Sequence, residues 1–475
     1  MRKTLILLAV LGTSFYSMKA QKSEKDIIKN LEQKSDEYGI IAQNIWEFAE
    51  MGYQEEQSSG LLQKTLQDAG FTIKKGVAGI PTAFIAEYGS GSPVIAIMGE
   101  FDALPGLSQK AVSEKESAGA AAGHACGHHL FGTASTAAAI STKDWLEANK
   151  SKGTIRFYGT PAEEGGSGKV YMVREGLFND VDIALHWHPG AQNAASAGAA
   201  LANKSAKFRF HGISAHAAAS PDKGRSALDG VEAMNMMINM MREHIPQEAR
   251  IHYVITDGGK APNVIPDFAE VYYYARHNRR DVVIEIFDRM VKAADGAALG
   301  TGTTMDYEMI GGTHELLPNL TLQKVMHENL SEVGGMEYTT EEKAFADKIA
   351  KSLGQEKADF ATAKSVQPYK TEAKAFGSTD VGDVSFTVPT VGFSTATWVP
   401  GTPAHSWQAV AAGGTSIGNK GMMIAAKTLT MTAIDLFKDK KLVASAKAEF
   451  LEKRGADFKY IPLLGDRAPA LDYRK

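Results

Sequence analysis

Three short apolar runs, at residues 94–98 (VIAIM), 154–158 (TIRFY) and 182–185 (DIAL), each stop at a polar segment rich in glycine or proline: GEFDALP, GTPAEEGG and HWHPG. A later run, VPTVGFSTATWVPGTPAH, ends on His405. Runs this short, bounded by chain breakers, fit strands buried on both faces, and helix-period segments between them, such as 134–146, fit crossovers. The pattern predicts an α/β domain on a mostly parallel sheet flanked by helices. Ligand sites in such sheets lie at the carboxyl ends of strands. Four segments distant in sequence therefore aim their polar groups at one edge.

Before these runs, residues 23–68 read as helical, with Ile27, Ile28, Leu31, Ile41, Ile45, Trp46, Phe48, Leu61, Leu62 and Leu66 at i, i+3, i+4 spacings. Residues 203–317 differ in composition. KSAKFRFHG, HYVIT and AEVYYYARH read as strands, and Ser226 caps a helix through VEAMNMMINMMREHI. This is a smaller α+β unit inserted into a catalytic domain made of 21–202 and 318–440. The methionines at 234, 236, 237, 240 and 241 read as plain core at helical spacing. The stretch 341–376 reads as solvated helices and loop, and 441–475 as a C-terminal extension.

The first 20 residues carry a basic start at Arg2 and Lys3, an apolar run over 5–10 and the small residue Ala20. That run is far short of the roughly 20 residues a bilayer needs, so it reads as an export signal, which predicts a periplasmic protein with no membrane anchor. A net charge of −4, from 51 basic and 55 acidic side chains with no basic stripe, excludes nucleic acid as a partner. A lone cysteine cannot close an internal disulfide, so Cys126 is a core residue, an intermolecular link or a working thiolate.

His124, Cys126 and His128 of GHACGHH stand at alternate positions, which a looped or extended backbone turns to one side. Gly123 and Gly127 favour that loop over a helix. Thiolate with imidazole suits zinc, and the plain alternative is a buried structural cysteine. In PAEEGG, Glu163 and Glu164 repel each other unless a cation lies near; one can then ligate while its neighbour serves as general base. Cys126, His128, Glu164, His186 and His405 together make five donors. That is one more than a closed tetrahedral zinc uses and suits two open-sided cations.

GEFDALPG, GHACGH, PAEEGG, SAHAAASP, GRSALDG, PNVIPD, GSTDVGDVSF and GTPAHSWQ, in this order and spacing, resemble the M20 family of metallopeptidases and amidohydrolases, in its aminoacylase-like branch. The resemblance implies a di-metal catalytic α/β domain and an inserted lid through which two identical subunits pair. It implies two divalent cations per subunit, zinc or manganese. Carried onto matching positions, Cys126, His128, Glu164, His186 and His405 are the ligands and Glu163 the general acid/base. His188 rivals His186, which is preferred because the family motif places its ligand three residues before a proline, here Pro189. Where many members carry His-x-Asp this chain has Glu100-Phe101-Asp102, so Asp102 is expected to orient a ligand from behind. Thr379-Asp380 replaces a commoner Glu-Asp pair, and Asp380 is expected in a similar supporting role. His216 matches a lid histidine that reaches the partner's site, and Asn263 and Arg276 match positions that hold substrate.

The expected reaction is hydrolysis of an N-acyl or N-aroyl amino acid such as p-aminobenzoyl-glutamate by a metal-activated water. Glu163 moves the proton and His216 meets the oxyanion, while Arg276 grips a carboxylate with its planar fork. A dipeptidase on the same residues is the nearest alternative. A non-catalytic peptide-binding protein has no use for Glu163, and a cysteine hydrolase would use Cys126 as nucleophile.

Overall fold

A computed structural model describes residues 23–372 and 377–474; the expected leader, 1–20, lies outside them. The chain enters through three helices, Glu24–Gln33, Ser35–Phe48 and Glu56–Asp68. Ser23 and Asp26 close a reciprocal capping box at the first of these, satisfying end N–H groups that the helix itself cannot. Their buried residues, among them Ile27, Leu31, Ile41, Ile45, Leu62 and Leu66, recur at helical spacing and pack on the main sheet.

That sheet has six strands, in spatial order Thr72–Lys75, Phe84–Ser90, Gly153–Gly159, Val94–Gly99, Ile183–Leu185 and Thr390–Val391. The last four are parallel, and the first two pair antiparallel. Gly91, Ser92 and Pro93, the whole link between Phe84–Ser90 and Val94–Gly99, are too few for a crossover, so the chain must reverse there. Both faces are buried, as alternate side chains show. Ile95 and Ile97 join one core with the helices His128–Asn149 and Ser416–Lys438. Ala96 and Met98 join another with Gly168–Arg174.

The inserted unit holds a four-stranded antiparallel sheet, ordered Arg250–Asp257, Phe268–His277, Ala202–His211, Thr304–Thr313. Phe208, Phe210, Val271 and Tyr273 alternate onto the helices Ala227–Met241 and Arg280–Thr301. Lys207, Arg209, Tyr272, Tyr274 and Arg276, one residue out of phase, take the other face. The core reading of the methionines fails for three of them. Met234 and Met241 are buried, but Met236, Met237 and Met240 are exposed because the helix turns them away from the sheet. The stretch 341–376 is also less solvated than its composition implies, since helix Thr340–Ser352 buries Ala346, Ile349 and Ala350.

After Ser416–Lys438 the chain forms a further helix, Lys440–Arg454, and continues over residues 455–474 as an irregular strap. Among the described residues, no helix is long and apolar enough to cross a membrane.

Candidate functional site

Neighbouring parallel strands end at one edge and deliver the polar groups. Glu100 follows Gly99 directly, Gly159 leads through Thr160, Pro161 and Ala162 to Glu163 and Glu164, and Leu185 leads to His188 two residues past His186. His128 opens the helix His128–Asn149 behind Gly127, whose φ of 75° is left-handed. A Cβ on Gly127 would stand 2.6 Å from Pro189 Cβ, so glycine supplies both the turn and the room. His124 does not stay with its neighbours on one side. Its Nε2 meets the Ile45 carbonyl at 2.9 Å and its ring packs on His129, because the chain turns into helix at His128.

Three overlapping sets of donor atoms form, each with all members within 4.8 Å of one another: Cys126, His128 and His188; Cys126, Glu164 and His405; Glu100, His128 and Glu163. Cys126 Sγ lies 3.5 Å from His188 Nε2, and His405 Nε2 lies 3.0 Å from Glu164 Oε1. His405 reaches this place on a left-handed backbone, φ 58°, with its N–H donated to the Ala125 carbonyl at 3.0 Å. Non-glycine residues in that region are strained, and such strain clusters at functional sites.

Of the two rival histidines, the structure brings His188 rather than the preferred His186 into a donor set. Among the described residues, His186 joins none of the donor sets and its Nε2 is buried without a partner; its ring lies against Gly392. The reason is a change of sheet. Residues 183–185 pair with the strand Thr390–Val391, whereas His188–Gly190 pairs with Ser394–Ala396. The shift carries position 188 across the strand end toward Cys126 and leaves 186 behind.

The donor chemistry fits divalent cations. Among the described residues, Glu100 Oε2, His128 Nε2 and Glu164 Oε1 are buried without a well-formed hydrogen bond, although His128 Nε2 stands 3.0 Å from Glu100 Oε2 and His405 Nε2 3.0 Å from Glu164 Oε1. His128 Nδ1 is committed to Asp102 Oδ1 at 2.8 Å, which directs Nε2 at the carboxylate. Burial would lower the His128 pKa, but Asp102, Cys126 and Glu100 outweigh it and raise it well above the ordinary value. Positive charge belongs at this point, and a cation serves several such acceptors at once. Burial pushes the Cys126 thiol up, so a cation is what would make it a thiolate. Burial holds His188 down, in the neutral form that ligates.

Glu163 differs from its neighbour. Burial, then the charges of Glu100, Glu164 and Asp380, raise it well above the usual carboxylate range. Burial acts the same way on Glu164, but His405 and His128 overcome it and hold Glu164 low. Two adjacent carboxyls are thus pushed apart in pKa, the condition for dividing proton transfer from ligation.

A supporting network lies behind these groups. Asp102 Oδ2 accepts the Glu164 N–H at 2.9 Å, so one carboxylate orients both His128 and Glu164. Lys169, fully buried, places Nζ 2.6 Å from Glu100 Oε1 and 2.8 Å from Asp380 Oδ1, and its N–H reaches Asp380 Oδ2 at 2.9 Å. Asp380 therefore meets the site through Lys169. Nothing in GSGKVYMV marks Lys169 beforehand, since it reads as an ordinary helix lysine. Glu100 was legible as a departure from His-x-Asp, but its place in a donor set was not.

The lid residues stand apart. His216 is exposed, its Nδ1 accepts from the Ala218 and Ala219 N–H groups at 3.2 Å, and the Asn263 carbonyl binds the neighbouring Ala217 N–H at 3.0 Å. The Arg276 guanidinium lies over Tyr274, 5.0 Å from its ring centre, with Nε buried and without a partner among the described residues. Among the described residues, none of the three bonds to the donor cluster.

Comparison with known proteins agrees with this architecture. The chain is 44% identical over 446 residues to one of the subunits of p-aminobenzoyl-glutamate hydrolase of Escherichia coli (strain K12), covering 88% of this chain and 93% of that protein. It is 28% identical over 438 residues to the Xaa-Arg dipeptidase of Mus musculus, covering 89% and 90%. Among solved structures it resembles an aminobenzoyl-glutamate utilization protein from Klebsiella pneumoniae (TM-score 0.61, 18% identity, 86% of this chain and 98% of that one). A dinuclear metal-binding M20 peptidase from Bacillus subtilis is also similar (TM-score 0.56, 18% identity, 87% and 99%). Residues 96–409 match the sequence profile of peptidase family M20/M25/M40. Two thirds of the chain carry that match and its strand ends carry the donors, so the chain belongs to the M20/M25/M40 peptidase family and is a hydrolase.

Proposed function

We propose that this hydrolase cleaves the amide bond of N-acyl or N-aroyl amino acids of the p-aminobenzoyl-glutamate kind, with two divalent cations, zinc or manganese, at the donor cluster. Cys126, His128, Glu164, His188 and His405 would hold them, with Glu100 facing His128. When bound, such cations polarise an amide carbonyl and acidify water. Glu163 does the proton work: its raised pKa lets it take a proton from water and return it to the departing amine. Asp102 keeps His128 and Glu164 aimed, and the Lys169 ammonium bridges Glu100 and Asp380, offsetting part of their charge.

The observation that carries this reading is Glu163, a carboxyl of raised pKa standing in a donor set with Glu100 and His128. Glu163→Gln keeps the shape and removes the base. Turnover of p-aminobenzoyl-glutamate should fall by about 10²- to 10⁴-fold with metal content retained. Undiminished turnover in that variant would overturn the proposal.

A dipeptidase is the second reading, favoured by the likeness to the Xaa-Arg dipeptidase. Comparing kcat/KM for acyl-glutamates and dipeptides on one preparation separates the two. The lid belongs to the same proposal, with His216, Asn263 and Arg276 serving substrate in a homodimer. The edge strand Arg250–Asp257, where Val254 is 55% exposed, supports a pairing surface there, and light scattering on the purified protein tests it. Export rests on Arg2, Lys3 and the apolar run over 5–10; N-terminal sequencing of the secreted form tests it.

A further inference from the structure

The strap over residues 455–474 matches no motif that the expected activity uses, yet it ends on the backbone of a candidate ligand. The Tyr473 hydroxyl donates to the Glu164 carbonyl at 3.1 Å, and Arg474 Nη2 donates to the same oxygen at 2.9 Å. We propose that the strap is a positioning device for the turn carrying Glu163 and Glu164, acting through Tyr473 and Arg474. The proposal rests on the reading that Glu164 is a ligand.

The turn needs holding. Ala162 and Ser167, neither of them glycine, sit at φ 57° and 62°, a left-handed conformation that persists only where the surroundings enforce it. Three of its polar backbone groups are gripped from two other parts of the chain, the segment with Tyr53 and Glu55 and the strand end at Asp102. Glu55 Oε1 takes the Ala162 N–H at 2.8 Å, the Tyr53 hydroxyl donates to the Gly166 carbonyl at 2.6 Å, and Asp102 takes the Glu164 N–H. Among the described residues, the strap alone holds the Glu164 carbonyl. Without it, one end of the Glu164 peptide is fixed by Asp102 and the other is free.

The strap's path is built into the fold. Tyr460 donates its hydroxyl to Asp383 Oδ1 at 2.7 Å, and the Ile461 carbonyl meets His314 Nε2 at 2.9 Å. Leu464 is buried, and Arg467 donates to the Ile310 carbonyl at 2.7 Å. A side chain on Gly312 would meet Leu463 backbone at 2.6 Å, and one on Gly52 would meet the Tyr473 hydroxyl at 2.2 Å. Both crossings are open because these two residues have no Cβ. The Tyr53 and Tyr473 rings meet edge to face, 5.5 Å apart, so the two hydroxyls that grip the turn also position each other.

The test uses the full chain, a chain stopped after Leu471, and the variants Tyr473→Phe, Arg474→Ala and Arg474→Lys. Metal-free protein is titrated with Co²⁺, followed by its visible spectrum, and kcat and KM are measured on p-aminobenzoyl-glutamate. Loss of outer support of this kind costs about tenfold or more in metal affinity. Shortened protein and Arg474→Ala should bind Co²⁺ at least about tenfold more weakly and lose kcat with KM within about twofold, while Arg474→Lys recovers most of both. Co²⁺ affinity and spectrum equal to the full chain's, with only a lowered melting temperature, would overturn the proposal and leave the strap a structural brace. Should the full chain bind Co²⁺ but hydrolyse no acyl amino acid, the functional reading fails and the Co²⁺ titration still decides the strap.

Discussion

Replacing Lys169 by methionine takes a buried ammonium from between two buried carboxylates while nearly preserving side-chain length. Nζ stands 2.6 Å from Glu100 and 2.8 Å from Asp380, and all three side chains are at most 1% exposed. Removing one partner of a buried ion pair costs about 3–5 kcal/mol, because the remaining charge has no solvent to turn to. Here two charges are left, so the upper end applies. With Lys169 in place, burial already lifts Asp380 from 3.8 to about 6 against the pull of that ammonium. In Lys169→Met the value must climb further. A carboxyl whose folded pKa exceeds its unfolded one adds stability that is fully present below the unfolded value and is lost as pH rises through the folded one. The deficit of the variant should therefore be small near pH 4 and complete by about pH 8. At about 2 cal/mol/K per residue, a chain of this length unfolds with close to 1 kcal/mol/K, so about 5 kcal/mol lowers Tm by about 5 °C. Calorimetry of metal-free wild type and variant between pH 4 and 8 reads this directly. Equal melting temperatures at pH 8, or a deficit that ignores pH, would refute the reasoning.

Exchanging His188 for alanine should strip metal from the purified protein, while His186→Ala should retain it; elemental analysis giving the reverse would restore the assignment based on proline spacing. Cys126→Ala should likewise lower bound metal, and unchanged stoichiometry would show the thiol to be a core residue. Burial holds His314 down, from 6.5 to about 4, with its Nε2 at the Ile461 carbonyl. A depressed base stabilises the fold above its unfolded pKa and loses that contribution as pH falls through the folded one. Between pH 6.5 and about 4 the wild type should lose up to about 3 kcal/mol that His314→Gln does not, in urea titrations across that window.

Much of the site was legible because its signals are local. A strand that stops at a polar, glycine-bearing segment announces a strand end whatever the rest of the chain does, which is why Glu163, Glu164 and His405 could be named from their surroundings. Donor type is local as well, so a thiol and an imidazole separated by a single glycine point to a cation. The choice between His186 and His188 was not local. Both follow the same strand, and the distance to proline favoured the one that faces Gly392. Lys169 was hidden for a related reason: a lysine next to glycine in a short helix looks solvated until the fold closes Glu100 and Asp380 over it.

By itself the sequence determined the alternation of strand and helix, the inserted unit and the kinds of atom available for chemistry, since periodicity and side-chain identity are properties of a few consecutive residues. The tertiary structure decided which donors meet. Sulfur, imidazole and carboxylate arrive from segments up to 305 residues apart between Glu100 and His405, so a shift from one sheet to another at Trp187 or a strap laid across Gly312 changes the site without any change in the motifs. Contacts of that range follow from how layers pack, and no stretch of chain contains them alone.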